Sequence, residues 1–250
     1  MIVMGDEFWK SWGRLNKFEV GGIKSIRAGK KIILNNVPKE EVIAIYVKGS
    51  FIRREMNKYS DVDLVVILRK IKNLDKLNNI VKKNKHAFGV PLQVLGYSLW
   101  ELKNDKLAKQ KDMHKMTPSR TVEHLGHYKL IYGKEITRRG LSGGDHLERL
   151  KRMIKVFQER HLPNYENKRL HIHELLKQVF WLVENEQKFI GKKVPHGFKK
   201  LTKSVSDSSH IIHDTKRLYF SKSKSEKDKK LFIKNLRSYL KKLERRIKTS

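Results

Sequence analysis

Apolar and polar positions follow two regimes along this chain. In the first, "VIAIYVKGS" (42–50) and "VDLVVIL" (62–68) are short, continuous, β-branched apolar runs, the pattern of strands buried on both faces. "VPLQVLGY" (90–97) predicts a third strand, and "HYKLIYGKEI" (127–136) a short closing strand and turn. Helical spacing falls between them. Leu74, Leu77, Ile80 and Val81 stripe a helix over 73–83, and Ser98 with Glu101 three residues on is a capping-box pattern opening another. Thr117 followed by Pro118 predicts a further start, with Thr as N-cap and Pro at the first helical position. The charged stretch "FIRREMNKY" between the first two strands reads as a short helix or a loop. Strands interleaved with helices predict an α/β or α+β domain of about 140 residues.

"RRGLSGGD" (138–145), with its three glycines, is the boundary signal. Beyond it the period becomes helical. Asp145 and Glu148 mark a start, and Leu147, Leu150, Ile154 and Phe157 share a face until "HLP" predicts a stop. A second helix is expected over 168–190 and a weaker segment over 196–220. The last helix begins near Ser223 or Glu226, with Phe232, Leu236, Tyr239, Leu243 and Ile247 on one side. The expected organisation is residues 1–140 as one domain and 145–250 as an all-α bundle, with "SKSKSEKDKK" (221–230) as a turn.

Charge changes the picture more than size does. The formal net charge is +31, and Lys+Arg exceed Asp+Glu by 14 within residues 191–250 alone. Such a field attracts polyanions, including RNA, DNA and nucleoside triphosphates, although a lysine-rich surface of no special function is the competing reading. There is no cysteine, which excludes disulfides and thiolate-held zinc. No apolar run approaches the roughly 18–20 residues that cross a bilayer, and the first residues lack a signal-peptide layout. A cytoplasmic protein without membrane contact is expected.

The chemistry concentrates in "YVKGSFIRREMNKYSDVDLVVIL" (46–68). Asp61 and Asp63, at i and i+2 where a strand begins, project from one face and repel each other unless a cation lies between them. Oxygen-only ligands of this kind suit Mg²⁺, which keeps waters and substrate phosphates in its shell. Gly49-Ser50, at the end of the preceding strand, offers backbone N–H groups and a hydroxyl to an anion. Together these predict one site for a metal-bound nucleoside triphosphate. The alternative is two acids opening an exposed strand beside an ordinary turn. His124/His127, His210/His213 and His171/His173 have spacings from which a zinc site can be imagined, but with no clear third ligand they read as helix-face histidines. Phe180 and Trp181 read as helical core rather than a base-stacking platform. "KKLERRIK" (241–248) reads as a solvated helix face, with nucleic-acid contact as the alternative.

An apolar strand, Gly-Ser, ten residues and then "DVDL" resembles the signature of the DNA polymerase β-type nucleotidyltransferase superfamily. It is similar in particular to the minimal and kanamycin-type members, with Arg54-Glu55 and Ser60 fitting their motif while the family's small residues are replaced. The likeness spans about residues 40–136. It implies a small mixed β-sheet flanked by helices, followed by a helical domain, hence an α+β fold, and a second domain that in such proteins helps form the acceptor pocket, often across a homodimer. The implied reaction moves a nucleoside monophosphate, AMP from ATP, to a hydroxyl acceptor: a small molecule, a protein side chain or an RNA end. In that scheme Asp61 and Asp63 hold Mg²⁺ or Mn²⁺. Gly49, Ser50 and Ser60 belong to the nucleotide site, and Arg53 or Arg54 neutralises phosphate. Gln93 stands where the family places a third carboxylate, and an amide brings neither charge nor basicity. Glu101 or Glu55 are the candidate replacements. The other reading is a catalytically impaired fold acting as an antitoxin-like or RNA-binding module.

Overall fold

The computed structural model describes residues 7–70, 77, 79–80, 83–108, 117–195, 197–221 and 223–249. The chain divides into two compact units, Met1–Gly144 and Asp145–Ser250. The first is built on a mixed four-stranded sheet in the order β3-β2-β1-β4, with β1 at Val42–Lys48, β2 at Val62–Leu68, β3 at Leu92–Ser98 and β4 at Lys129–Gly133. β1 runs antiparallel to both β2 and β4, and β2 runs parallel to β3.

Alternation along the strands divides the core into two layers. Val42, Ile45, Val47, Leu64, Val66 and Leu68 face a cluster that includes Ile23, Ile26 and Ile33 of helix α1, Lys17–Asn36. Ala44, Tyr46, Val65, Ile67, Leu95 and Tyr97 face the other way, against Leu102 of α2 (Leu99–Asn104) and Val122 of α3 (Pro118–His124). Coverage on both sides explains why the strand runs are continuously apolar rather than alternating.

Helix α1 has no counterpart among the expected elements. Its glycines depress helix propensity, yet Gly22 and Gly29 face Phe51 and Leu92 so closely that a Cβ would lie 2.7 and 2.6 Å from them. Its N-terminal signal is a capping box, in which Asn16 Oδ1 accepts from the Glu19 amide and Glu19 Oε2 accepts from the Asn16 amide, each at 2.9 Å.

Elsewhere the expected starts are present with adjustments. Ser98 and Glu101 form the capping box of α2. Pro118 opens α3, but the Thr117 side chain makes no capping bond. The first two strands end and begin as expected except that β1 stops at Lys48, so that Gly49-Ser50 belongs to the turn that follows. The closing strand is shorter than 127–136. The helix expected at 73–83 falls mostly on residues outside those described; within that range Leu77 is buried in the α1 layer.

In the second unit α4 (His146–Val156) is capped by Asp145, whose Oδ1 accepts from Leu147 and Glu148 amides at 2.7 and 3.2 Å. The expected stop at "HLP" does not occur. A π turn over Phe157–His161 leads directly into α5, Leu162–Glu166, with the Leu162 amide donating to the Phe157 carbonyl. The widened turn shifts the hydrogen-bond ladder by one residue just where Pro163 lacks a donor, and Pro is tolerated in the first turn of the helix that follows. Helix α6 is Ile172–Phe189, four residues shorter at its start than expected. The weak segment at 196–220 is two helices, α7 (Phe198–Ser204) and α8 (Ile211–Phe220). Helix α9, Glu226–Lys248, is capped by Ser225. Phe157, Leu176, Phe180, Ile212, Phe232, Leu236 and Leu243 are buried in their common core. At about 1.5–3 kcal/mol per fully buried large apolar side chain, this layer is the main source of the bundle's cohesion.

Candidate functional site

The site is built where β1 ends and where β2 and β3 begin. Gly49 follows β1 with a backbone φ of +81°, and a Cβ added there would lie 2.6 Å from Asp63 Oδ2. Both facts demand glycine. The left-handed turn is unfavourable with a side chain, and the space a Cβ would fill holds a carboxylate oxygen. The bend continues through Arg54, closed by Glu55 N–H donating to Ser50 O at 2.9 Å and Arg54 N–H to Phe51 O at 3.0 Å. Phe51, fully buried, pins it down among Phe8, Trp9 and Trp12, whose ring centroids lie 6.1, 6.0 and 5.0 Å away.

Asp61 immediately precedes β2 and is exposed, while Asp63 is half-buried within it. Strand register extends the site sideways. Asp63 lies opposite Lys48 of β1 and opposite Gln93 of β3, giving a row Lys48, Asp63, Gln93 across three strands. The alternation that puts Tyr46, Val65 and Leu95 on the α2–α3 layer puts these three side chains on the same side. Lys48, which sequence reasoning missed, is held below the usual lysine range mainly by burial; Arg120 and Arg53 act in the same direction, while Asp63 and Asp61 oppose. Five charged groups therefore share one neighbourhood. The available signal was a lysine closing an otherwise apolar strand; for Arg120, on α3, nothing local pointed here.

Other expected site residues are placed differently. Arg54 Nε lies 3.1 Å from Glu19 Oε1 and its Nη2 donates to the Arg14 carbonyl at 2.7 Å, with the guanidinium over the Trp12 ring at 5.0 Å. It ties the bend to the cap of α1, and its hydrogen bonds hold the buried Glu19 carboxyl below the usual range. Arg53 pairs with Glu55 at 2.8 Å. Ser60 Oγ accepts from the Asn57 amide at 3.0 Å, shaping the turn before Asp61.

Glu101 does not fill the place of the missing acid. It is buried, with Oε2 accepting from the Ser98 amide at 2.7 Å and Oε1 from the Ala108 amide at 3.0 Å. It also lies beyond the far end of β3 at Ser98, which is itself five residues, or about 16 Å of strand, from Gln93. Among the described residues no group of three or more His, Cys, Asp or Glu is gathered as a metal site. Two carboxylates with the Gln93 amide alongside do fit a single hard, oxygen-preferring cation such as Mg²⁺.

His210, His213 and His173 are engaged in structure. His210 Nε2 lies 3.0 Å from Glu186 Oε2, His213 Nε2 lies 3.2 Å from the Val205 carbonyl, and His173 stacks on Tyr219 at 4.3 Å. The rings of His124 and His127 are 6.1 Å apart. Phe180 is fully buried in the bundle core. In the C-terminal basic stretch, Leu243 and Ile247 are buried, and Arg246 pairs with Glu186 at 2.8 Å.

The sheet, its flanking helices and the helical region that follows have an α+β nucleotidyltransferase fold. Residues 30–111 match the family described as Polymerase beta, Nucleotidyltransferase. A solved structure, the spectinomycin adenyltransferase AAD(9) from Enterococcus faecialis with ATP and spectinomycin, is similar at a TM-score of 0.51 and 17% identity, over 88% of this chain and 99% of that one. At that identity the likeness is one of fold. No curated protein matches the sequence. Among the described residues no helix is long and apolar enough to cross a membrane.

Proposed function

We propose that this protein is a nucleotidyltransferase that moves AMP from ATP to a hydroxyl acceptor. The observation that carries the reading is the apposition of Gly49 and Asp63, which sets the bend after β1 against a carboxylate on the row where Gln93 and Lys48 also stand. The family of residues 30–111 and the ATP named with the similar adenyltransferase support the same choice of substrate. Residues 1–140 are read as the transferase domain and 145–250 as a domain for the acceptor or for nucleic acid.

In this reading Asp61 and Asp63 hold Mg²⁺ or Mn²⁺, which when bound screens the charge of the triphosphate. The amides and hydroxyl of Gly49-Ser50 receive the β- and γ-phosphates, and Arg53 lies near enough to the cluster to offset phosphate charge. The acceptor hydroxyl oxygen bonds to the α-phosphorus, the bond to the bridging oxygen of pyrophosphate breaks, and the hydroxyl proton passes to solvent. With Gln93 in place of an acid and Glu101 engaged in its cap, the site holds the reactants in line and does little general-base work.

The test is incubation with α-labelled ATP, CTP, GTP and UTP and Mg²⁺, with and without total RNA. Label transfer that disappears in Asp61→Asn and Asp63→Asn is the expected result. A second reading, a lapsed enzyme serving as an RNA-binding module, is favoured by Gln93 and by the stripe of Lys230, Lys234, Arg237 and Lys241 on one side of α9. No transfer, together with RNA binding that weakens steeply with salt, would favour it.

A further inference from the structure

The row across β1, β2 and β3 has a composition that the acids alone do not reveal. On one side of Asp63 stands a cation, Lys48, and on the other a neutral amide, Gln93, each directly opposite it in register. Opposed residues on neighbouring strands lie about 4.5–5.5 Å apart at Cα, well within the reach of a lysine side chain. The charged groups acting on Lys48 are Asp63 and Asp61, with Arg120 from α3 and Arg53 from the bend. With Glu55 paired to Arg53, three carboxylates meet three cations, and without a ligand the cluster has no surplus of negative charge to strip a hydrated divalent ion of its water. A triphosphate supplies that surplus.

We infer that Lys48 is the resident counter-ion of Asp63, so that the protein binds no divalent cation by itself and takes up one ion, together with the triphosphate. This rests on the nucleotidyltransferase reading of the site and adds to it an order of binding and a stoichiometry. Lys48 holds the Asp63 carboxylate in place at the Gly49 bend until the metal–triphosphate arrives, and then shares it. Gln93, bringing no charge, leaves nothing to hold a second ion. When empty the cluster carries no surplus of negative charge, and a single ion enters together with its anionic ligand.

The experiment counts Mn²⁺ by the loss of its free-ion electron paramagnetic resonance signal, using the full chain with and without α,β-methylene-ATP. For wild type we expect no uptake at micromolar Mn²⁺ alone and one ion per chain with the analogue. Lys48→Met, of similar length and without charge, is expected to tighten nucleotide-free Mn²⁺ binding on the order of tenfold or more, because a repelling charge beside the ion has gone. Gln93→Asp, at an exposed position, is expected to raise the count with analogue from one to two; circular dichroism verifies that both variants are folded. Two ions in wild type would overturn the inference. So would a Lys48→Met protein that loses affinity for the analogue while its nucleotide-free Mn²⁺ binding is unchanged, since Lys48 would then be a phosphate contact. Failure of wild type to bind the analogue at all would instead sink the nucleotide reading, and the nucleotide-free titration alone would then decide the role of Lys48.

Discussion

Replacing Gly49 with alanine tests the apposition on which the site depends. The added methyl group would stand 2.6 Å from Asp63 Oδ2, far inside van der Waals contact, so the carboxylate must retreat by roughly 0.5–1 Å. The backbone at φ +81° also penalises any side chain by about 1–2 kcal/mol. Gly140 separates the two effects. Its φ is +75°, but a Cβ there meets nothing within 4 Å, so Gly140→Ala carries the same backbone penalty without touching the site. Both variants should lose a few degrees of melting temperature, at about 2–4 °C per kcal/mol for a chain of this size. Only Gly49→Ala should lose affinity for Mn²⁺ with α,β-methylene-ATP, by tenfold or more, since weakening one charge-assisted contact costs about 1.5–3 kcal/mol. Calorimetric titration of the two variants measures both quantities. Equal affinity in Gly49→Ala and Gly140→Ala, with matching losses of stability, would refute the claim that Gly49 and Asp63 form one site.

Three other outcomes follow from the same geometry. Arg54→Ala should lower the denaturant midpoint of the N-terminal unit by leaving the Glu19 carboxylate without its cation, with the affinity for the ATP analogue unchanged; denaturant midpoints and titration together decide whether Arg54 anchors the bend or contacts phosphate. Glu101→Gln should cost about 1 kcal/mol through the α2 cap and leave the pH profile of label transfer unmoved, whereas a change in that profile would restore Glu101 as the missing acid. Glu186 is pushed up by burial, but hydrogen bonds from His210 and Tyr239 and the charges of His210 and Arg246 outweigh this and hold its carboxyl below the ordinary value of 4.5. A depressed folded-state value means that its contribution is present above about pH 4.5 and is lost as pH falls through the folded value. The urea-midpoint gap between wild type and Glu186→Gln should therefore be open at neutral pH and close in acid.

The two strand runs, the glycine-serine bend, the paired aspartates and most helix starts could be read locally, because each depends on residues within a few positions of one another. Period-2 alternation tells which residues of a single strand share a face, and a capping box needs only four residues. Helix α1 escaped because its glycines lower helix propensity for a reason that lies elsewhere in the chain, in Phe51 and Leu92. The helix through Pro163 escaped because a π turn is a property of the ladder and not of the motif.

What tertiary structure decided is who stands beside whom. The order β3-β2-β1-β4 brings Lys48 and Gln93 to either side of Asp63, although 45 residues separate them in sequence. It also commits Arg54 to Glu19 and removes Glu101 to the opposite end of β3. Side-chain pattern along one strand carries no record of its lateral neighbours. Those are set by which apolar faces find burial against α1 on one side and against α2 and α3 on the other, and the electrostatics of the site follow from that choice.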